Sequence, residues 1–500
     1  MLGKIGSNWA AIAASVVVAY ILTPFSIRVL GDSGYGTWLL ISSIAGYLQL
    51  LTLGAPMASV RYVAKYAAEK DQSGLDTTVG TFYVMYLTMV LLTLTSGLVL
   101  FFVFQRVWTV PAEIVQASQW AFGLFVLYVA LIMVQQFPNG ILSAYQDFVA
   151  INLVAISGFA LKLGLTISLL TWKASVIVLS AVPAGVTPLE VTALWILVRR
   201  RHPEIHFRMC DFRIYMLKRV LSFSAYVLVL NLGAQLAFKT NAMVIGAFLG
   251  VDSVPFFAVA NSLVLYLTEF IIGIAAVVMP TTTALHSKGD LDQLRNFYLR
   301  WSKIAYSLTL LAGVYLLVAG PDFIGWWINL SYRRPSGNVL IVLMLSFLIF
   351  LPIRGVAQPM LMGIGKPRLP TIMFIGAAVL NLALSIALAP RLGLIGVAVG
   401  AALPNVLYAI GVLVVACREV DLSISHFIRY TFFRTTAGAI LAAIMLYWFS
   451  RAIDMHRFWG LAAAGVGLLI VFTGIWLAYV YHDDPYVDLG ASLRQVWERS

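Results

Sequence analysis

From Ser222 to Pro280 the chain carries two apolar runs joined by a turn around Gly250 to Ser253. Each is long enough to cross a bilayer, for which about 20 residues suffice. A charge stands near the middle of each run, Lys239 in the first and Glu269 in the second. A lone charge at that depth costs about 2.5–3.5 kcal/mol on insertion scales, so such residues face a protein interior or a wet cavity. Runs of this kind recur along the whole sequence, which confines the chain to an all-α polytopic membrane fold.

Composition agrees. The chain is 61% hydrophobic and 11% charged with a mean hydropathy of +0.92, against about 25% charged in ordinary soluble domains. Its net charge of +12 belongs to topology and lipid contact rather than to nucleic acid, because no polar stretch leaves room for a soluble binding domain. Both cysteines, Cys210 and Cys417, fall on the predicted cytoplasmic side, where thiols stay reduced. The apolar run from Asn8 to Ile27 is too long for a signal-peptide core and reads as the first membrane helix.

Apolar runs bounded by charges or by Gly and Pro predict about fourteen spans, near 8–28, 37–58, 79–104, 118–141, 150–172, 175–198, 220–249, 254–280, 301–320, 338–363, 371–389, 395–417, 433–450 and 458–481. With both termini in the cytoplasm, the inner side receives 22 of the 33 Lys and Arg residues, including Arg494 and Arg499 of the tail. The outer side receives eight, and Lys162, Lys239 and Arg354 remain within the membrane. That asymmetry supports an even number of spans. Pro183, Gly185 and Pro188 read as a kink in the sixth.

A shift of 219 residues lays Leu30-Gly31 on Leu249-Gly250, Lys70-Asp71 on Gly289-Asp290, and the loop SAYQD from Ser143 on MGIGK from Met362. Within the membrane, Gln135 falls on Arg354 and Lys162 on Asn381. The predicted organisation is an N-lobe over 1–198, a basic cytoplasmic linker over 199–219, a C-lobe over 220–417, and two further helices with a tail over 418–500. Six helices per copy keep both lobes in one orientation, as in transporters with parallel repeats.

Against Lys162, Lys239 and Arg354 stand two intramembrane acids, Glu190 and Glu269, leaving one positive charge unbalanced even if every acid pairs. That favours an anionic ligand such as phosphate, which Arg grips through two parallel bonds and Lys as a point charge. The competing reading makes these residues interhelical ion pairs or side chains snorkelling to an interface. Gln135, Gln235, Asn241 and Asn381 lie at similar depth, as do Gln49, Gln136, Asn231 and Asn261, and would suit a sugar-bearing headgroup or serve as helix-to-helix glue. No HExxH pattern joins His202 to His206 and no P-loop is present. The residues therefore predict a non-enzymatic protein with no metal, no cofactor and no nucleic-acid partner.

The stretches PFSIRVLGDSGYGTWLL from Pro24, LGAPMASVRYVA from Leu53, VIGAFLGVDSVPFFAVA from Val244, MGIGKPR from Met362 and APRLGLIGVAVGAAL from Ala389 carry a resemblance over nearly the whole chain. In them the chain resembles the polysaccharide transporter branch of the MOP flippase superfamily, which includes the Wzx-type O-antigen flippases. The resemblance implies two six-helix lobes around a cationic cavity open to one side at a time. It also implies an inner-membrane location, with a polyprenyl-diphosphate-linked oligosaccharide as substrate and membrane lipids and a polysaccharide polymerase or glycosyltransferases as partners. Arg28 and Arg61 fall on arginines that recur in its motifs, and Lys239-Thr240-Asn241 stands where family members often carry an acid early in the seventh helix. A multidrug or cation exporter of the same fold, a lipid II flippase, and a non-transporting subunit of a glycan assembly complex are the alternatives.

Overall fold

The computed structural model describes residues 2–108 and 110–487; the tail carrying Arg494 and Arg499 lies outside the described residues. Every regular element among them is helical. In chain order they are α1 (Leu2–Gly46), α2 (Ala55–Glu69), α3 (Gln72–Val107), α4 (Val115–Ala144), α5 (Phe148–Trp172), α6 (Val176–Arg201), α7 (Ile214–Phe238), α8 (Thr240–Phe248) and α9 (Val254–Ile272). There follow α10 (Ala275–Ser287), α11 (Leu291–Val318), α12 (Gly320–Trp327), α13 (Arg333–Pro352), α14 (Gln358–Gly363), α15 (Arg368–Glu419), α16 (Ile424–Ile428), α17 (Arg434–Ala452) and α18 (Phe458–Ile475).

Eleven helical stretches among the described residues are long and apolar enough to cross a membrane. Gly6–Glu69 holds the first two expected spans and Arg368–Glu419 the eleventh and twelfth, and α7 with α8 carries the seventh. The merged stretches bend where a glycine leaves the helical region, at Gly31 (φ 69°, ψ 175°) and Gly393 (φ 60°, ψ −140°), both conformations that L side chains resist. Despite Pro183 and Pro188, α6 runs unbroken from its cap, where the Ser175 hydroxyl accepts from the Ile177 amide at 3.3 Å.

The 219-residue repeat recurs as backbone geometry. Gly31 and Gly250 share a positive φ with extended ψ, 69° and 175° against 95° and 156°. Lys70 and Gly289 both turn left-handed, at φ 55° and 71°. The aspartates after them cap the next helix alike, Asp71 accepting from Gly74 N and Asp290 from Gln293 N, each at 2.9 Å. Gln146 in SAYQD and Gly365 in MGIGK match too, at φ 61° and 78°.

The chain divides into two compact units, Met1–Pro255 and Phe256–Ser500. In the first, Phe137 of α4 meets Tyr83 and Tyr86 of α3, Trp195 of α6, and Phe207 of the connecting segment. The segment after α6 is thus folded onto the helices, with Ile205 buried, as is Met216 at the start of α7. Gly80 permits this approach, since a Cβ there would stand 2.7 Å from the Arg208 carbonyl oxygen.

In the second unit, α11 packs against α13 and α17, and α13 against α15. At its base the Lys303 ammonium and the Asp484 carboxylate pair at 2.5 Å with both side chains almost wholly buried. Lys303 also donates to the Val480 carbonyl oxygen at 2.9 Å, and Tyr430 donates its hydroxyl proton to Asp484 at 2.8 Å. The segment after α18 is thereby fastened to α11 and to the turn entering α17. From sequence Lys303 is one more inner-side charge; the structure makes it a buried anchor.

Candidate functional site

The predicted site residues separate into three groups. In the first unit, a cavity of about 460 Å³ is lined by Gln49 and Thr52 from the 3₁₀ turn Tyr47–Thr52, Gln136 of α4, and Asn231, Gln235 and Lys239 from the seventh span. Lys239 stands at the joint between α7 and α8, exposed, with the backbone at φ −103° and ψ −26°. Thr240 beyond the joint bonds the Tyr47 hydroxyl, which also donates to the Gln235 carbonyl oxygen at 3.3 Å. The Gln235 side chain donates from Nε2 to the Gly46 carbonyl oxygen at 3.2 Å. These bonds tie the end of α1 to the joint and fix where the ammonium is offered. Asn241 is buried two residues further on, outside the cavity lining.

A second group occupies the α4, α5 and α6 contact of the same unit. Lys162 Nζ lies 2.8 Å and 3.0 Å from the two oxygens of Glu190, and Gln135 Nε2 donates to Glu190 Oε2 at 3.0 Å. Both charged side chains are largely buried. The carboxylate fits because Gly158 has no Cβ to occupy its place. Adjacent glutamines on α4 therefore diverge by one helical step: Gln135 serves the ion pair and Gln136 lines the cavity. Lys162 and Lys239, both predicted to attract phosphate, sit in different environments, the first saturated by a carboxylate and the second offered to open space.

The third group is in the second unit. Arg354 lies in a π-helical turn, Ile353–Ala357, that joins α13 to α14, a distortion frequent at functional sites. Its guanidinium lies over the rings of Phe350 and Phe374, at 5.5 Å and 4.9 Å from their centroids. Glu269 is an exposed residue on α9. Asn381, two turns beyond Phe374 on α15, is buried and accepts from the Ser385 hydroxyl at 3.0 Å. Arg28 and Arg61 are both exposed, Arg61 resting 5.7 Å from the Tyr62 ring centroid.

Sequence reasoning named the amides of the first cavity individually without grouping them, and it missed Tyr47, Thr52 and Thr240. Their signal was weak, a Tyr and two Thr among apolar neighbours. No group of three metal-ligating side chains occurs among the described residues.

The sequence model of the family described as "Polysaccharide biosynthesis protein" matches residues 2–286. An uncharacterized membrane protein, EpsK of Bacillus subtilis, is 22% identical over 464 residues, covering 90% of this chain and 88% of that protein. A putative O-antigen transporter of Shigella flexneri is 21% identical over 402 residues, covering 78% of this chain and 92% of its own length. Among solved structures, the lipid II flippase MurJ in an inward closed conformation aligns with a TM-score of 0.70 at 15% identity, covering 93% of this chain and 98% of MurJ. An inward-facing multidrug resistance MATE transporter of the MOP superfamily aligns with a TM-score of 0.67 at 18% identity, over 82% and 98% of the two chains.

Proposed function

Because this chain belongs to the polysaccharide biosynthesis protein family within the MOP superfamily, we propose that it is a flippase for a polyprenyl-diphosphate-linked oligosaccharide in the cytoplasmic membrane. The observation that carries the reading is the first-unit cavity, where the Lys239 ammonium is offered beside the amides of Gln49, Gln136, Asn231 and Gln235. An ammonium offered into a cavity attracts a diphosphate, and amides supply the paired donors and acceptors that sugar hydroxyls require.

The division of charge supports an anionic cargo. Lys162 is held by Glu190, whereas no carboxylate among the described residues lies within ion-pair distance of Lys239. Arg354, over the rings of Phe350 and Phe374, is a second candidate phosphate contact, with Glu269 as the acid that would modulate its charge and Asn381 on α15. The lipid tail stays in the bilayer while the polar head passes. Access alternates between the two sides, a scheme in keeping with the inward-facing and outward-facing structures known for MATE transporters of this superfamily. Both termini lie in the cytoplasm, and the cargo comes from membrane glycosyltransferases and passes to a polymerase.

The test is the leaflet of the lipid-linked glycan in cells lacking this chain. A complete lipid-linked oligosaccharide that accumulates on the inner leaflet, protected from an external glycan-cleaving enzyme, is the expected result. A fully accessible intermediate would overturn the reading. Unchanged drug sensitivity of the same cells is expected too, since an exposed ammonium repels the cationic cargo of a multidrug exporter.

A further inference from the structure

We propose that the first-unit cavity is a charge filter for the sugar next to the diphosphate, admitting residues that bear hydroxyl, acetamido or carboxylate groups and rejecting one that bears a free amine. The inference rests on the flippase reading and adds a selectivity to it.

Three observations on the lining carry it. First, the described polar side chains there are four carboxamides, one hydroxyl and one ammonium, so the fixed charge is positive and comes from Lys239. A protonated amino sugar inside about 460 Å³ of space cannot stand far from that ammonium; it competes with Lys239 for the diphosphate and adds a like charge to the lining, and such juxtaposition of like charges is a usual means of rejecting a wrong partner.

Second, the carboxamides are arranged to receive donors. Gln136 Oε1 is buried and accepts no hydrogen bond among the described residues, and Gln235 spends one of its two Nε2 protons on the Gly46 carbonyl oxygen. A sugar hydroxyl or an acetamido N–H satisfies such acceptors without bringing a charge.

Third, the geometry is held in advance. Tyr47 bonds across the α7–α8 joint to Thr240 and to the Gln235 carbonyl oxygen, so Lys239 is presented from a braced position. Gln135, one residue from Gln136, is bound to Glu190. That anchor holds the α4 backbone beside the cavity and keeps the unit's intramembrane carboxylate on the Lys162 side.

The experiment uses the full chain in phosphatidylcholine vesicles at about pH 6, where an amine of this class is charged. The probes are short polyprenyl diphosphates with a fluorophore on the lipid tail, carrying either N-acetylglucosamine or glucosamine, and movement is read by a membrane-impermeant quencher. The acetylated probe is expected to move at least about tenfold faster than the amine. Gln136→Glu, which keeps Lys239 in place and sets a carboxylate beside it, is expected to raise the amine rate selectively. Equal rates for both probes in the unaltered chain would overturn the filter and leave the flippase reading standing. Movement of neither probe above protein-free vesicles would overturn the flippase reading, and the filter with it.

Discussion

Two lysines that look alike in the sequence differ in what removing them should do. Lys162 is saturated by Glu190, and breaking a buried pair from one side costs about 3–5 kcal/mol because the remaining charge is left uncompensated. Glu190→Gln should therefore lower the thermal unfolding midpoint in detergent. Pairing it with Lys162→Met should recover most of the loss, and failure to recover would mean that the pair does more than neutralise itself. Lys239, exposed at the helix joint, carries no such debt. Lys239→Ala should leave insertion and unfolding nearly unchanged while abolishing export of the lipid-linked glycan in cells; normal export would remove Lys239 from the site. The sequence singled out both residues as charges within long apolar runs. It could not show that a glutamate 28 positions after Lys162 takes it up, because that pairing depends on how two helices rotate against each other and on Gly158 leaving space.

Turns and caps between helices were more readable, because their geometry is set by a few neighbouring residues. The loop matches at an offset of 219 appear as shared positive φ at Gln146 and Gly365 and as aspartate caps after Lys70 and Gly289. Where one copy has glycine and the other does not, a stability difference follows: Gln146→Gly should stabilise the first unit by up to about 1 kcal/mol by relieving the left-handed strain, as thermal unfolding would show. Joints that depend on distant residues were not readable. Lys303 and Asp484 are 181 positions apart, yet their buried pair fastens the segment after α18 to α11. Asp484→Asn should loosen that segment and raise its protease sensitivity, with a cost again of about 3–5 kcal/mol. Tyr430→Phe, which removes one hydrogen bond to the same carboxylate, should cost about 1 kcal/mol.

At the scale of the whole molecule, the all-helical membrane architecture was legible because lipid forces each segment to satisfy its own backbone and leaves hydrophobic length as the plain signal; the eleven candidate spans among the described residues are compatible with the fourteen expected. Orientation is an expectation from a different physical term, the bias of Lys and Arg toward the cytoplasm. The two cysteines make the orientation testable without disturbing the protein. Cys210, in the segment between α6 and α7, is exposed, and Cys417, near the end of α15, is buried. A membrane-impermeant maleimide should leave intact cells unlabelled and modify Cys210 in inverted membrane vesicles, and Cys210→Ser should abolish that labelling because Cys417 stays covered. Ser331, exposed in the short connection between α12 and α13 on the predicted outer side, supplies the opposite pole: with Cys210 removed, Ser331→Cys should label from outside in intact cells. Labelling of Cys210 from outside would invert the topology, and with it the side from which the cargo enters the Lys239 cavity.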